Sequence, residues 1–129
     1  METGELERTG QHLARAEEEL TAELPQSDMM ATVLRRKAQL CNARTQNVEA
    51  RILAVSCLAM CKATTNDYDR GVALRVLGQA WGAEGCPAKA RACFDASLQT
   101  LSRSQAGYEL MKTLIAYGNF LPSDLREPS

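Results

Sequence analysis

The sequence predicts an all-α fold, an α-solenoid of about three helix pairs with six antiparallel helices. Apolar residues recur at intervals of three and four along most of the chain, which is the spacing of one face of a helix. Strict alternation of apolar and polar residues is absent, and the β-branched residues do not cluster, so strands are not expected. The helix-favouring residues Ala, Leu, Glu, Arg and Gln dominate the composition.

Proline and polar turn residues divide the chain into these helices. They are predicted near residues 3–24, 28–44, 47–63, 69–84, 87–102 and 104–121. Pro25 and Pro122 mark helix ends, because proline cannot continue the backbone hydrogen-bond ladder. Pro87 suits a first helical turn, where its missing N–H costs nothing. The polar run 64–69 is a turn-forming insertion before the fourth helix.

The fourth and fifth helices carry the most specific pattern. It consists of Leu74, Leu77, Gly78 and Trp81 on one helix, then Ala90 and Phe94 on the next. The first four share one helix face, and Gly78 lets a neighbouring helix approach closely. We expect Trp81 and Phe94 to pack within one helix pair, with Gly78 and Ala90 at the closest approach.

Earlier segments repeat the stripe of the fifth helix. A shift of forty residues superposes Ala50, Ala54 and Leu58 on Ala90, Phe94 and Leu98, and a further shift of thirty-four reaches Ala16, Leu20 and Leu24. The spacing resembles the tetratricopeptide repeat (TPR), in which a W-x2-L-G-x2-Y half is followed by A-x3-F. That resemblance implies a right-handed solenoid over residues 1–122, with a short tail at 123–129. It also implies a protein-interaction scaffold whose first helices line a groove that binds a peptide or protein segment.

A second resemblance involves the last helix. Residues 108–121 resemble repeats of large bacterial ATP-dependent transcriptional regulators, which implies an alternative function: a truncated sensor or regulatory segment of a signal-transduction ATPase or of such a regulator. The face formed by Met111, Leu114, Tyr117, Phe120 and Leu121 is expected to lack the following helix that would cover it in a repeat array. An excised piece of a longer array, or self-association through this C-terminal helix, would account for that face.

Five polar residues are candidates for partner binding in the groove. They are Arg35, Gln39, Asn42, Arg75 and Gln79. The pairs Arg35/Gln39 and Arg75/Gln79 each span one helical turn, and the forty-residue shift superposes them. Adjacent guanidinium groups are suited to bidentate contact with carboxylates, so an acidic partner segment is expected. Simple solvation of these side chains is the alternative.

Charge and composition disfavour several function classes. The formal net charge of −1 gives no general attraction to nucleic acid or membrane. No targeting segment is recognised, and the longest uncharged stretch, 52–61, is too short for a membrane span, so a cytoplasmic location is expected. That stretch is interpreted as a helix buried on both sides. The one histidine, His12, stands in no catalytic motif, so no enzymatic activity is expected.

The cysteines are interpreted as small buried thiols, reduced and free of metal. They are Cys41, Cys57, Cys61, Cys86 and Cys93. Their odd number opposes a disulfide framework, and only Cys57 and Cys61 have the spacing of a zinc pair. Asp67-x-Asp69-x-Gly71 matches a calcium loop poorly and is interpreted as a helix cap. No cofactor or metal is therefore expected.

Overall fold

The computed structural model describes residues 7–16, 28–64 and 66–121, and these ranges contain helices and turns but no strand. Helix α1 covers residues 7–16. The others are α2 (Asp28–Ala43), α3 (Asn47–Thr64), α4 (Asp67–Ala83), α5 (Pro87–Arg103) and α6 (Gly107–Phe120). The predicted all-α fold with six helices is confirmed. The predicted ends of the first helix, including Leu20 and Leu24, and the tail 123–129 lie outside the described residues.

The helices form two layers. In the inner layer α4 lies beside α2 and α6, and in the outer layer α3 and α5 pack against their neighbours along the chain. Helix α4 is central, because it packs against α2, α3, α5 and α6. Small side chains such as Ala38, Ala50 and Ala73 fill the space between the layers and are fully buried. Among the described helices, none combines the length and the apolar composition needed to span a membrane.

The helix pairs repeat at a fixed interval. The first residues of α3 and α5, Asn47 and Pro87, are 40 residues apart, and so are those of α4 and α6, Asp67 and Gly107. This period is longer than the 34 residues of the TPR. The forty-residue shift found in the sequence is therefore the structural repeat, and it identifies equivalent positions in successive helices.

Three turns between helices share one geometry. Their middle residues Thr45, Gly85 and Gln105 have positive φ angles of 58°, 80° and 56°. The next residue donates its N–H to the carbonyl five residues earlier, in the bonds Gln46 N to Cys41 O at 2.8 Å, Cys86 N to Trp81 O at 2.9 Å and Ala106 N to Leu101 O at 3.2 Å. This is the Schellman helix ending. The last helix, predicted to start near 104, starts three residues later at Gly107, since the turn occupies 104–106.

Replacing Thr45 with glycine should stabilise the protein by about 1 kcal/mol, because a β-branched residue is strained at positive φ. Urea unfolding measures the change. Thr45→Ala is the matched control, since alanine keeps the Cβ atom and its strain. Equal stabilisation by alanine and glycine would show that the left-handed backbone is not the cause.

The outer face of α3 is exposed. More than half of the surface of Ile52 and of Val55 is accessible to solvent, so the prediction that 52–61 is buried on both sides is wrong. The opposite face, with Ala54, Cys57 and Cys61, is fully buried against the inner layer. A helix in the outer of two layers has packing partners on one side only, which explains the difference.

Phe94 fills the centre of the α4–α5–α6 core. A Cβ atom added to Gly78 would lie 3.2 Å from the Phe94 ring, which confirms a close approach at Gly78. Ala90 is fully buried and lies instead beside Gly82, 3.9 Å from a Cβ atom added there, and contact of Trp81 with Phe94 stays a prediction.

The Phe94 ring stacks on Tyr117 with centroids 5.0 Å apart and contacts Phe120 at 5.6 Å. Tyr117 and Phe120, two of the residues predicted to lack a cover, thus pack against the core and are half-buried.

Candidate functional site

A groove of about 350 Å³ crosses the inner layer formed by α2, α4 and α6. Its polar lining consists of Gln39, Asn42, Arg75, Gln79, Lys112 and Asn119, with Ile115 as an apolar member. Four of the five predicted partner-binding residues therefore lie together. The fifth, Arg35, does not line the groove and lies one turn before Gln39 on α2.

Arg35 forms an ion pair with Asp69 of α4 through Nε and Oδ1. The second carboxylate oxygen, Oδ2, accepts hydrogen bonds from Thr32 Oγ1 at 2.9 Å and Asn66 Nδ2 at 2.8 Å. Asn66 also caps α4, since its Oδ1 accepts from the Asp69 backbone N–H at 3.0 Å. The segment around Asp69 is thus part of a helix cap, as predicted, and its buried carboxylate is occupied within the chain.

Arg75 forms the equivalent contact one repeat later. Its Nη1 donates to Glu109 Oε1 at 2.9 Å and to the Glu109 carbonyl oxygen at 3.3 Å. Tyr68 donates its hydroxyl to the other carboxylate oxygen, Oε2, at 3.0 Å. Arg75 and Glu109 are both buried, so this pair joins α4 to α6 inside the protein.

The two ion pairs are a repeated feature. In each, 34 residues separate the arginine from its carboxylate. The arginines are 40 residues apart, as are Asp69 and Glu109, and Ile115 stands on α6 where a third arginine would fall. Each arginine fastens one inner helix to the next, so its charge is balanced inside the chain. Binding of an acidic partner by Arg35 and Arg75 stays a prediction, and it would require these pairs to open.

Sequence reasoning missed both carboxylates. Asp69 was assigned only to a helix cap, and Glu109 was not singled out. The forty-residue shift that relates Arg35 to Arg75 also relates Asp69 to Glu109, so the repeat itself contained the pattern. Comparing acids as well as bases between repeats would have identified the pairs.

Amide side chains form the remaining polar surface of the groove. Asn42 Nδ2 donates to Gln79 Oε1 at 3.2 Å, and Gln39 Oε1 accepts from Arg35 Nη1 at 2.9 Å. Each amide has both a donor and an acceptor group, and the bond between Asn42 and Gln79 uses one group from each. In the part of the chain that the structure describes, the acceptor of Asn42 and the donor of Gln79 therefore remain for a ligand.

The stability of the fold should depend on the ionisation of Glu109. Burial, the largest influence, raises its pKa, but hydrogen bonds from Arg75 and Tyr68 and the nearby positive charges outweigh burial and lower the pKa below the ordinary 4.5. When the pKa of a carboxyl group is lower in the folded protein than in the unfolded chain, its ionised form stabilises the fold. This stabilisation is fully present above the pKa of the unfolded chain, and it is lost as the pH falls through the pKa of the folded protein.

We therefore expect the melting temperature of the wild type to fall as the pH drops below about 4.5. Glu109→Gln should have a lower melting temperature than the wild type at neutral pH. Its melting temperature should fall less on acidification, because the glutamine side chain does not titrate. Thermal unfolding across this pH range measures both effects. Parallel curves for the two proteins would contradict a stabilising role of the ionised carboxylate.

The thiols are arranged for packing. All five cysteines are free; Cys41, Cys57 and Cys61 are buried, whereas Cys86 and Cys93 are only half-buried. The hydrogen bond with Cys61, followed by burial, raises the pKa of Cys57, and burial raises the pKa of Cys93. Because the thiolate is the reactive and metal-binding form, these shifts disfavour covalent chemistry. Within the described ranges, no three His, Cys, Asp or Glu side chains cluster as a metal site would require.

The fold and the groove define a class: an all-α protein of paired, repeating helices with a polar groove on its inner layer. Comparisons of the chain with protein-family models, curated proteins and solved structures find no match. The resemblances to the TPR and to repeats of bacterial regulators therefore remain predictions from the sequence.

Proposed function

We propose that this protein is a non-catalytic interaction scaffold that binds an extended segment of a partner protein in the groove. The observation that carries the proposal is a row of amides: Gln39, Gln79 and Asn119 occupy equivalent positions of the three inner helices, 40 residues apart, and all line the groove. Gln39 and Gln79 already accept through Oε1 from Arg35 and Asn42, so each can offer its Nε2 donor to a backbone carbonyl of the segment. Packed helices lie about 8–10 Å apart, the length of about three extended residues, so successive amides can meet every third peptide group.

The chemistry of the groove favours main-chain recognition over recognition of acidic side chains. Arg75 is engaged by Glu109, and Arg35 lies outside the groove, bound to Asp69. Lys112 is the more exposed cation of the groove lining, although its Nζ lies 4.0 Å from Glu109 Oε1. A segment with one carboxylate near Lys112 fits this arrangement, and its binding should respond weakly to added salt.

Peptides selected from a random library on the wild-type protein test the proposal. The double variant Gln39→Ala/Gln79→Ala should bind them at least ~10-fold more weakly, because each lost hydrogen bond contributes about 1 kcal/mol. Gln99→Ala is the matched control, since Gln99 is an exposed amide on the outer helix α5. Unchanged affinity for the double variant would exclude the amide row as the binding surface.

A second candidate is self-association through α6. One face of this helix is apolar and at least half exposed; it consists of Tyr108, Met111, Leu114 and Ile115. A Cβ atom added to Gly118 would have no atom of another described side chain within 4 Å. The equivalent glycine on α4, Gly78, lies against Phe94. The α6 surface is thus open where the equivalent α4 surface is covered by α5, and we propose that a second copy covers it.

Sedimentation velocity over a concentration series tests self-association. Met111→Glu should shift the protein to monomer, because the charge would have to be buried in the contact. Val55→Glu on the exposed face of α3 is the control and should leave the distribution unchanged. A monomeric wild type at every concentration would contradict this candidate.

A further inference from the structure

Trp81 occupies a defined site on the outer side of α4. Its ring lies between two cations, with Arg51 Cζ of α3 4.4 Å and Lys89 Nζ of α5 4.3 Å from the ring centroid. Arg51 also donates its Nε to Glu84 Oε1 at 2.9 Å. An indole therefore fills the space between α3 and α5.

One repeat earlier, Cys41 stands at the position of Trp81. The space beside it is a cleft of about 640 Å³ between α1, α2 and α3, which we name the Cys41 cleft. Its lining follows the forty-residue repeat. Gly10 and Ala14 of α1 and Leu53 of α3 line it, and they are equivalent to Ala50, Ala54 and Cys93. Ala50 and Ala54 belong to the core cluster against which Trp81 and Cys93 pack.

The cleft is open because Cys41, a small side chain, stands at the repeat position of the large Trp81, while helices α1 and α2 remain in contact. A Cβ atom added to Gly10 would lie 3.2 Å from Leu40 Cδ2, so α1 packs closely on α2 beside the opening. Cys41 is buried at the floor, and its side chain is much smaller than the indole that stands one repeat later. A cleft of this volume falls within the size range of small-molecule sites.

The electrostatics of the cleft differ from those around Trp81. Lys89 and Arg51, the two cations over the Trp81 ring, are replaced at the equivalent positions of the cleft by Glu49 and Gln11 respectively. Lys37 and Arg44 balance Glu7 and Glu49 in the lining. Burial, followed by the Glu49 carboxylate, raises the pKa of the Cys41 thiol, which keeps the floor uncharged. A carboxylate beside an uncharged floor suits a ring that carries an N–H donor.

We infer that the Cys41 cleft binds a small planar aromatic molecule of about the size of indole, with a ring N–H directed to Glu49. The ring would take the place that Trp81 fills one repeat later, between α1 and α3. Ala14, Ile52 and Leu53 supply apolar walls, and the charged side chains hold the rim. This site is separate from the groove of the inner layer, so it stands whether or not that groove binds a partner.

Indole is the probe for the test. Titration into 15N-labelled wild-type protein should shift the amide resonances of Gly10, Cys41 and Leu53, with a Kd on the order of 1 mM for so small a ligand. Cys41→Trp should abolish these shifts by filling the cleft, whereas Cys41→Ser, the matched control, should keep them. Shifts elsewhere, no shifts, or equal binding to Cys41→Trp would overturn the assignment.

Two further measurements keep the test decisive. Ala14→Phe narrows the cleft from α1 and should weaken indole at least ~10-fold, so the assignment can be tested if Cys41→Trp does not fold. N-acetyl-tryptophanamide carries the same ring on a peptide backbone. Weaker binding than that of indole supports a small-molecule site, whereas tighter binding would assign the cleft to a partner's side chain and overturn the inference.

Discussion

Replacing Phe94 with alanine should lower the free energy of unfolding by about 3–5 kcal/mol, the cost of emptying a fully buried aromatic site. Phe94 has no exposed surface, lies against Gly78 and stacks on Tyr117. The cavity would therefore separate α4, α5 and α6 at once. Since the total free energy of unfolding of a single domain is about 5–15 kcal/mol, the variant should be close to unfolding.

Urea unfolding of Phe94→Ala and Phe94→Leu measures this effect. Leucine keeps most of the apolar volume and should cost clearly less than alanine, which distinguishes lost packing from lost ring stacking. A loss below about 1 kcal/mol for alanine would mean that the site collapses without a cavity and that the three helices do not depend on this residue.

Replacing Arg75 with alanine should also cost about 3–5 kcal/mol, because Glu109 would remain buried without its partner. Both side chains of this pair are almost inaccessible, and the arginine makes two hydrogen bonds to Glu109. The loss should appear as a lower midpoint of urea unfolding at neutral pH. Lys112, whose side chain is 41% exposed, is the control, and Lys112→Ala should change stability by less than about 0.5 kcal/mol.

The double variant Arg75→Met/Glu109→Leu distinguishes two contributions to the free energy of unfolding: the net contribution of the intact ion pair, and the destabilisation caused by removing only one partner. Apolar replacement of both partners is expected to be nearly neutral, since it removes the buried charge together with its partner. If Arg75→Ala were as mild as Lys112→Ala, the ion pair would not fasten α4 to α6.

The sequence predicted the helices well where local chemistry decides them. Pro87 and the apolar periodicity place α5, and the forty-residue shift anticipates the observed repeat. Helix α6 starts three residues later than predicted, because Gln105 adopts a left-handed backbone that its residue type does not indicate. The exposed face of α3 was missed for a different reason: hydrophobicity around a helix does not say how many neighbours the helix has.

Four of the five predicted residues line one groove, and their binding of a partner stays a prediction. Repeat spacing brought Gln39, Asn42 and Gln79 together correctly, since equivalent positions of a stack line one surface. Spacing could not show that Arg75 points at a carboxylate 34 residues away, because that depends on how neighbouring helices pack. The Cys41 cleft was hidden for a similar reason. A small thiol in the sequence is compatible both with a filled core and with an open space.

Mapping a bound peptide on the protein tests the central proposal, the groove, most directly. A library-selected peptide is titrated into 15N-labelled protein, and the shifted resonances are located on the six helices. The account predicts that the side-chain amides of Gln39, Gln79 and Asn119 shift first and saturate together. Shifts confined to the outer helices α3 and α5, or to Tyr108, Met111 and Leu114 of α6, would contradict binding in the groove.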